Sequence, residues 1–204
     1  MGAAEALKID VFFDYLCPYV YRASLLLDAV QSSGRRDIDV RWRYFSLTQV
    51  NSKDDGWAVW TAPASETVRG RLAFAAAEAA RRQGRFEAFH RSLLNARHAD
   101  GLNIDDPDVI DEVAYVAGLD VEQLGHDLAD PAILDALASD HTHGVSQQGI
   151  FGTPTLVFAD GASAYVRLAG PVAADESLEV FDRLIGVAAS EPRILEIKRP
   201  RKPS

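Results

Sequence analysis

Cys17 is the one cysteine of this 204-residue chain. It stands in Phe12-Phe13-Asp14-Tyr15-Leu16-Cys17-Pro18-Tyr19-Val20, where an apolar run meets a Cys-Pro step. Such a step puts a thiol at the first turn of a helix. Unpaired backbone N–H groups and the positive end of the helix dipole favour an anionic sulfur there. A thiolate is a nucleophile, and it exchanges with disulfides through a mixed disulfide. The competing reading is a buried thiol that serves as a small apolar side chain. With one cysteine, an internal disulfide and a multi-thiolate metal site are both excluded. A mixed disulfide on Cys17 must therefore be resolved by an external thiol.

Few other side chains are placed to do chemistry. His141 and His143 follow Asp140, but residues two apart on a helix point to different faces and cannot chelate together, so no metal is expected. His98 lies in the polar run Asn95-Ala96-Arg97-His98-Ala99-Asp100-Gly101, which reads as a loop. Trp42 reads as core. Trp57 and Trp60 fall in a Gly- and Pro-punctuated link, Asn51 to Pro63, and either roof a cleft or cover a junction between subdomains. Asn51 is a turn residue or a hydrogen-bonding partner for a thiol cofactor. Tyr19 is a partly exposed helix aromatic or a surface on which substrate stacks.

The elements that position Cys17 follow from hydrophobic spacing. Ile9, Val11, Phe12 and Phe13 predict a largely buried strand over 8–13. Val20, Ala23, Leu27 and Val30 recur at helical spacing, Pro18 suits the first helical position, and Gly34 closes the helix. Residues 38–45 alternate, with Ile38, Val40, Trp42 and Tyr44 on one face and Asp39, Arg41 and Arg43 on the other. Charges on one face suit an edge strand. Strand, helix, strand is a βαβ unit with parallel strands. The middle is helical: Thr67–Gln83, a helix marked by Phe86, Phe89 and Leu93, and starts at Asp106-Pro107, Asp120 and Asp130-Pro131. Gly149 ends the last of these. Thr155–Phe158 and Tyr165–Leu168 flank an Asp160-Gly161 turn as a hairpin. A final helix carries Leu178, Phe181, Leu184 and Ile185.

Composition sets the outer limits. The chain is 48% hydrophobic with a formal net charge of −9. An acidic body lacks the basic face that nucleic-acid binding needs. The basic run Lys198–Ser204 is read as a solvated tail. No stretch is long enough to span a membrane. The N-terminal residues Met1–Lys8 lack a basic region followed by an apolar run, so a cytoplasmic protein is expected.

Two motifs in this order of elements resemble the DsbA-like branch of the thioredoxin fold, an α/β fold (βαβ … ββα) with an all-helical insertion between its halves. One is Asp14-Tyr15-Leu16-Cys17-Pro18-Tyr19; the other is Gly149-Ile150-Phe151-Gly152-Thr153-Pro154-Thr155-Leu156, similar to the cis-proline loop of that family. The chain is also similar to actinobacterial mycothiol-dependent oxidoreductases and nitroreductases, and related to kappa-class glutathione transferases and 2-hydroxychromene-2-carboxylate isomerases. The resemblance divides the chain into a thioredoxin-like unit of residues 1–64 and 149–190, a helical insertion of 65–148, and an extension of 191–204. It implies a catalytic Cys17, with Pro18, Tyr19, Asn51, His98, Thr153 and Pro154 holding substrate or thiol. It implies a cis Pro154 facing the nucleophile, an open Thr153 backbone that pairs with an extended ligand, and a Thr153 hydroxyl that donates to the Cys17 sulfur. The dithiol pattern of the family would place a second cysteine at position 20, where this chain has Val20. The expected activity is monothiol thiol–disulfide exchange with mycothiol or glutathione as co-substrate. Its partners would be small disulfides, nitro compounds or protein mixed disulfides. The alternatives are a kappa-type transferase or isomerase that activates a bound cofactor thiol, and a non-catalytic binding protein on the same scaffold.

Overall fold

A computed structural model describes residues 6–199 of the chain. The leader reading of Met1–Lys8 and the basic-tail reading therefore fall mostly outside the described residues. Strand β1 (Leu7–Phe13) is followed by helix α1 (Pro18–Ser32), strand β2 (Ile38–Tyr44) and a single turn, α2 (Leu47–Val50). Five helices follow: α3 (Arg71–Arg82), α4 (Phe86–His98), α5 (Pro107–Val116), α6 (Val121–Leu128) and α7 (Asp135–Gln148). The chain closes with β3 (Thr155–Phe158), β4 (Ser163–Tyr165) and α8 (Ser177–Ala188). No helix among the described residues is long and apolar enough to cross a membrane.

The sheet order is β2-β1-β3-β4, with β1 parallel to β2 and antiparallel to β3. β2 is an edge strand, and its outward charges Asp39 and Arg41 are exposed. The two faces of β1 enter different packing. Ile9, Val11 and Phe13 join the main apolar cluster with Val20, Leu27, Phe74, Leu93 and Phe181. Phe12 turns the other way, joins Phe45 and Ile150, and lies against Gly144 of α7. Phe13 is central to an aromatic set, with ring centroids 4.7 Å from His90, 5.0 Å from Tyr15 and 5.6 Å from Trp42.

Three boundaries differ from the sequence expectation. α3 begins at Arg71, not Thr67, because Gly70 takes a left-handed conformation (φ 77°) that stops the helix before it. α4 runs on to His98, so the first four residues of the polar run, Asn95–His98, are its last turn, and only Ala99–Gly101 leave the helix. Burial of Leu93, Leu94 and Ala96 holds it helical, and the chain turns away at Gly101 (φ 73°). The hairpin return is Ser163–Tyr165 rather than Tyr165–Leu168. Asp160 accepts the Ala162 N–H in a tight turn, so pairing starts directly after it. The three Asp caps at 106, 120 and 130 each accept a first-turn N–H. The Asp120 cap is half a capping box, since the Gln123 amide reaches Asp127 instead.

Candidate active site

The sequence between β1 and α1 folds as a turn that delivers the thiol. Cys17 N–H bonds the Asp14 carbonyl at 3.0 Å, closing a β-turn over Tyr15 and Leu16. Cys17 then sits at the N-cap of α1 in extended conformation (φ −89°, ψ 114°), with Pro18 at the first helical position. Pro18 lacks an N–H, and among the described residues the Tyr19 N–H has no backbone partner. The helix start thus keeps an unpaired donor beside the cysteine.

The second motif arrives from the far end of the helical block. Gly149 (φ 64°) ends α7, and Ile150 N–H turns back to the Gly144 carbonyl at 2.9 Å. A Cβ at Gly152 would lie 3.2 Å from the Tyr165 ring, so this close approach suits glycine. The Thr153–Pro154 peptide is cis, and both residues are buried. The Cys17 thiol donates to the Thr153 carbonyl at 3.3 Å. The two motifs therefore meet at the sulfur across 136 residues of sequence.

Two expectations for Thr153 need correction. Its hydroxyl does not bond the sulfur; Oγ1 is buried and has no partner among the described residues. Its backbone is not open at the surface either, because the residue is 2% exposed and its carbonyl accepts the thiol. Cys17 itself is 5% exposed. Cys17 is a buried member of the main apolar cluster, and its sulfur is in contact with the proline loop.

Asp14 is the most constrained group of the site. Its carboxylate accepts Leu16 N–H at 2.8 Å and Leu47 N–H at 2.7 Å, joining the cysteine turn to the start of α2. It is fully buried, and burial raises its pKa from 3.8 to about 6 against the lowering effect of those two bonds. His98 holds the same turn from the other side. Its Nε2 donates to the Tyr15 carbonyl at 2.9 Å, which fixes the tautomer, and its ring stacks on Tyr21 at 5.6 Å. Burial lowers the His98 pKa, as does the charge of nearby Arg97 and Arg22.

The remaining expected residues are spread around this centre. Tyr19 is half-buried between Arg22 and Arg167. Asn51 is exposed at the end of α2, where its amide donates to the Leu47 carbonyl at 2.7 Å; no described hydrogen bond joins it to the cysteine turn. Trp57 donates to Glu66, and Trp60 lies 5.4 Å from the His141 ring. His141 is buried and accepts Ser46 N–H through Nδ1, while His143 is exposed, so the two point apart.

Asp14 bonds the cysteine turn, and Arg22 and Arg167 contact Tyr19; in the sequence Asp14 reads equally as a strand-end turn residue or a site residue, and neither arginine is singled out. Arg22 was within reach, since it lies three residues after Tyr19 on one helix face. A carboxylate closing an apolar strand signals Asp14 more weakly. Arg167 depends on hairpin pairing, which its local sequence does not set.

Comparison with known proteins agrees with this arrangement. The DSBA-like thioredoxin domain family matches residues 8–181. An uncharacterized protein of Mycobacterium tuberculosis is 28% identical over 203 residues, covering 96% of this chain and 83% of that protein. A structure from Streptomyces coelicolor, described as a probable DsbA oxidoreductase, aligns with a TM-score of 0.64 at 23% identity over 94% of both chains. The cytosolic disulfide reductase DsbM of Pseudomonas aeruginosa, solved with GSH, aligns at 0.60 and 20% identity over 87% of this chain and 99% of that one. A lone thiol at a helix start, against a cis-proline loop, thus stands in a chain that belongs to the DSBA-like thioredoxin domain family.

Proposed function

We propose that this protein is a monothiol thiol–disulfide oxidoreductase that uses a low-molecular-weight thiol of the mycothiol or glutathione type. The supporting observation is the contact of Cys17 Sγ with the Thr153 carbonyl in a chain that has no other cysteine. The Cys17 thiolate attacks a disulfide R–S–S–R, forming Cys17–S–S–R and releasing RS⁻. A free thiol, as its thiolate, then attacks the mixed disulfide, takes the R–S group and returns Cys17 as thiolate. Each step breaks one S–S bond and makes one, so no further oxidant is required. The thiol proton now shared with the Thr153 carbonyl leaves to solvent before the first attack.

The proposed thiol-binding residues are Pro18, Tyr19, Asn51, His98, Thr153 and Pro154; Pro18 is exposed next to Cys17, whereas Thr153 and Pro154 are buried. The thioredoxin-like halves at 1–64 and 149–190 supply the two sides of the sulfur, and the 65–148 insertion supplies His98. A single reduced cysteine suits the cytoplasm, where small thiols are abundant. The similarity to DsbM, solved with GSH, supports a small-thiol partner.

One observation favours a second reading. Cys17 is almost covered, which suits a kappa-type protein that activates the thiol of a bound cofactor without a covalent bond. Intact mass after incubation with an oxidised low-molecular-weight thiol separates the two. One adduct is expected, lost in Cys17→Ser. An unmodified protein that still binds the thiol would overturn the covalent reading, and turnover of the bound thiol would then separate the kappa-type reading from a non-catalytic binder.

A further inference from the structure

Two arginines meet on the ring that follows the Cys17-Pro18 step. The guanidinium carbon of Arg167 lies 4.8 Å from the Tyr19 centroid, and that of Arg22 lies 5.4 Å from it. Arg22 also donates to the Leu168 carbonyl at 2.9 Å, tying α1 to the segment beyond β4. Arg167 leans on the Tyr165 ring at 5.0 Å and donates to its hydroxyl. Phe151, 68% exposed, packs on Tyr165 at 5.0 Å. Side chains from α1, from the loop before Pro154 and from the hairpin therefore converge two residues from the cysteine.

Holding two guanidiniums on one ring costs Coulombic repulsion. Contacts with the ring faces work against that cost. The chain has 30 acidic side chains against 21 basic ones. Arg43 pairs with Asp140, Arg82 with Asp130 and Arg91 with Asp28, while Arg35, Arg41, Arg69 and Arg97 form no ion pair among the described residues, so what sets Arg22 and Arg167 apart is their meeting on one ring. Among the described residues, neither Arg22 nor Arg167 forms an ion pair. An uncompensated cationic pair on an acidic protein attracts an anion. The flat fork of a guanidinium matches a carboxylate in two parallel hydrogen bonds.

We propose that Arg22 and Arg167 bind a carboxylate of the thiol co-substrate, so that Cys17 exchanges with an acidic thiol in preference to an uncharged one. This rests on the reading of Cys17 as the exchanging nucleophile. Of the two thiol classes named above, glutathione carries two carboxylates and fits; mycothiol, an acylated cysteine on a sugar, carries none.

The test is the rate of Cys17 modification by glutathione disulfide divided by the rate with uncharged bis(2-hydroxyethyl) disulfide. In the native protein at low salt this ratio exceeds that of the urea-unfolded chain by about tenfold, the worth of one charge-assisted pair. Added salt erodes the excess. Arg22→Gln/Arg167→Gln removes it, and Arg22→Glu/Arg167→Glu transfers the preference to cystamine, a cationic disulfide. A reversal of sign cannot come from loss of folding, which slows or frees all three reactions alike. A ratio equal in native and unfolded protein overturns the carboxylate site while leaving Cys17 a nucleophile. No reaction of native Cys17 with any of the three disulfides overturns both readings.

Discussion

Asp14 and His98 hold the cysteine turn from two sides, and their chemistry sets different dependences on pH. Asp14 ordinarily titrates at 3.8 and is raised to about 6 by burial. Between those values the native state keeps a proton that the unfolded chain has released. Stability therefore falls as pH rises through this window; the contribution is complete below about 4 and gone above about 6. The shift corresponds to roughly 3 kcal/mol. Asp14→Asn removes this slope, so urea unfolding at pH 4 and pH 7 should show a smaller difference in the variant than in the parent. An unchanged difference would mean that the buried carboxyl does not titrate in this range. His98 acts in the opposite sense: burial lowers its pKa, so the stability its neutral ring contributes is present above the ordinary value of 6.5 and falls as pH drops below it. His98→Ala should cost about 1 kcal/mol of stability at pH 7, the net value of a typical hydrogen bond. It should also slow Cys17 exchange by loosening the turn, which His98→Gln partly restores.

At the scale of elements, α7 is set against β1 by a glycine. A Cβ on Gly144 would lie 2.8 Å from the Phe12 ring, which is itself buried. Gly186 in α8 faces open space. Alanine usually favours a helix interior by about 1 kcal/mol over glycine. Gly186→Ala should therefore stabilise by that order, whereas Gly144→Ala should destabilise by about 1–3 kcal/mol through overpacking. Thermal unfolding of the two variants should move in opposite directions; a rise for both would mean that Phe12 yields easily. The elements themselves were largely legible in the sequence. Apolar spacing located β1, α1 and β2, and Asp106-Pro107 located the start of α5, whereas Asp130-Pro131 starts a short 3-10 turn, Pro131–Leu134, that leads into α7. What stayed hidden was decided by long-range contact. His98 is helical because Leu93 and Leu94 bury the turn before it, which the polar run Asn95–Asp100 does not announce. β4 begins earlier than its aromatic residues suggest because the Asp160 turn fixes its register.

On the scale of the whole molecule, β1 and β3 are adjacent antiparallel strands, and this brings the cysteine turn and the proline loop together. Residues 17 and 153 could be paired from sequence through the two motifs. The polarity of their contact could not be, since it is the Thr153 carbonyl and not its hydroxyl that meets the sulfur. The arginine pair was equally hidden, because it requires α1 and the hairpin to be set side by side. On an acidic chain, a positive spot on the ring two residues after the thiol would steer small anionic thiols to that point.

The central claim is that Cys17 passes through a mixed disulfide which only an outside thiol can resolve. It is tested by loading Cys17 with a thiol adduct, removing excess reagent, and following adduct loss by intact mass against added free thiol. The account predicts a stable adduct without thiol and a rate of loss that rises in proportion to thiol concentration, with Cys17 returned free. Failure of Cys17 to form the adduct, or its loss at a rate independent of added thiol, would contradict it.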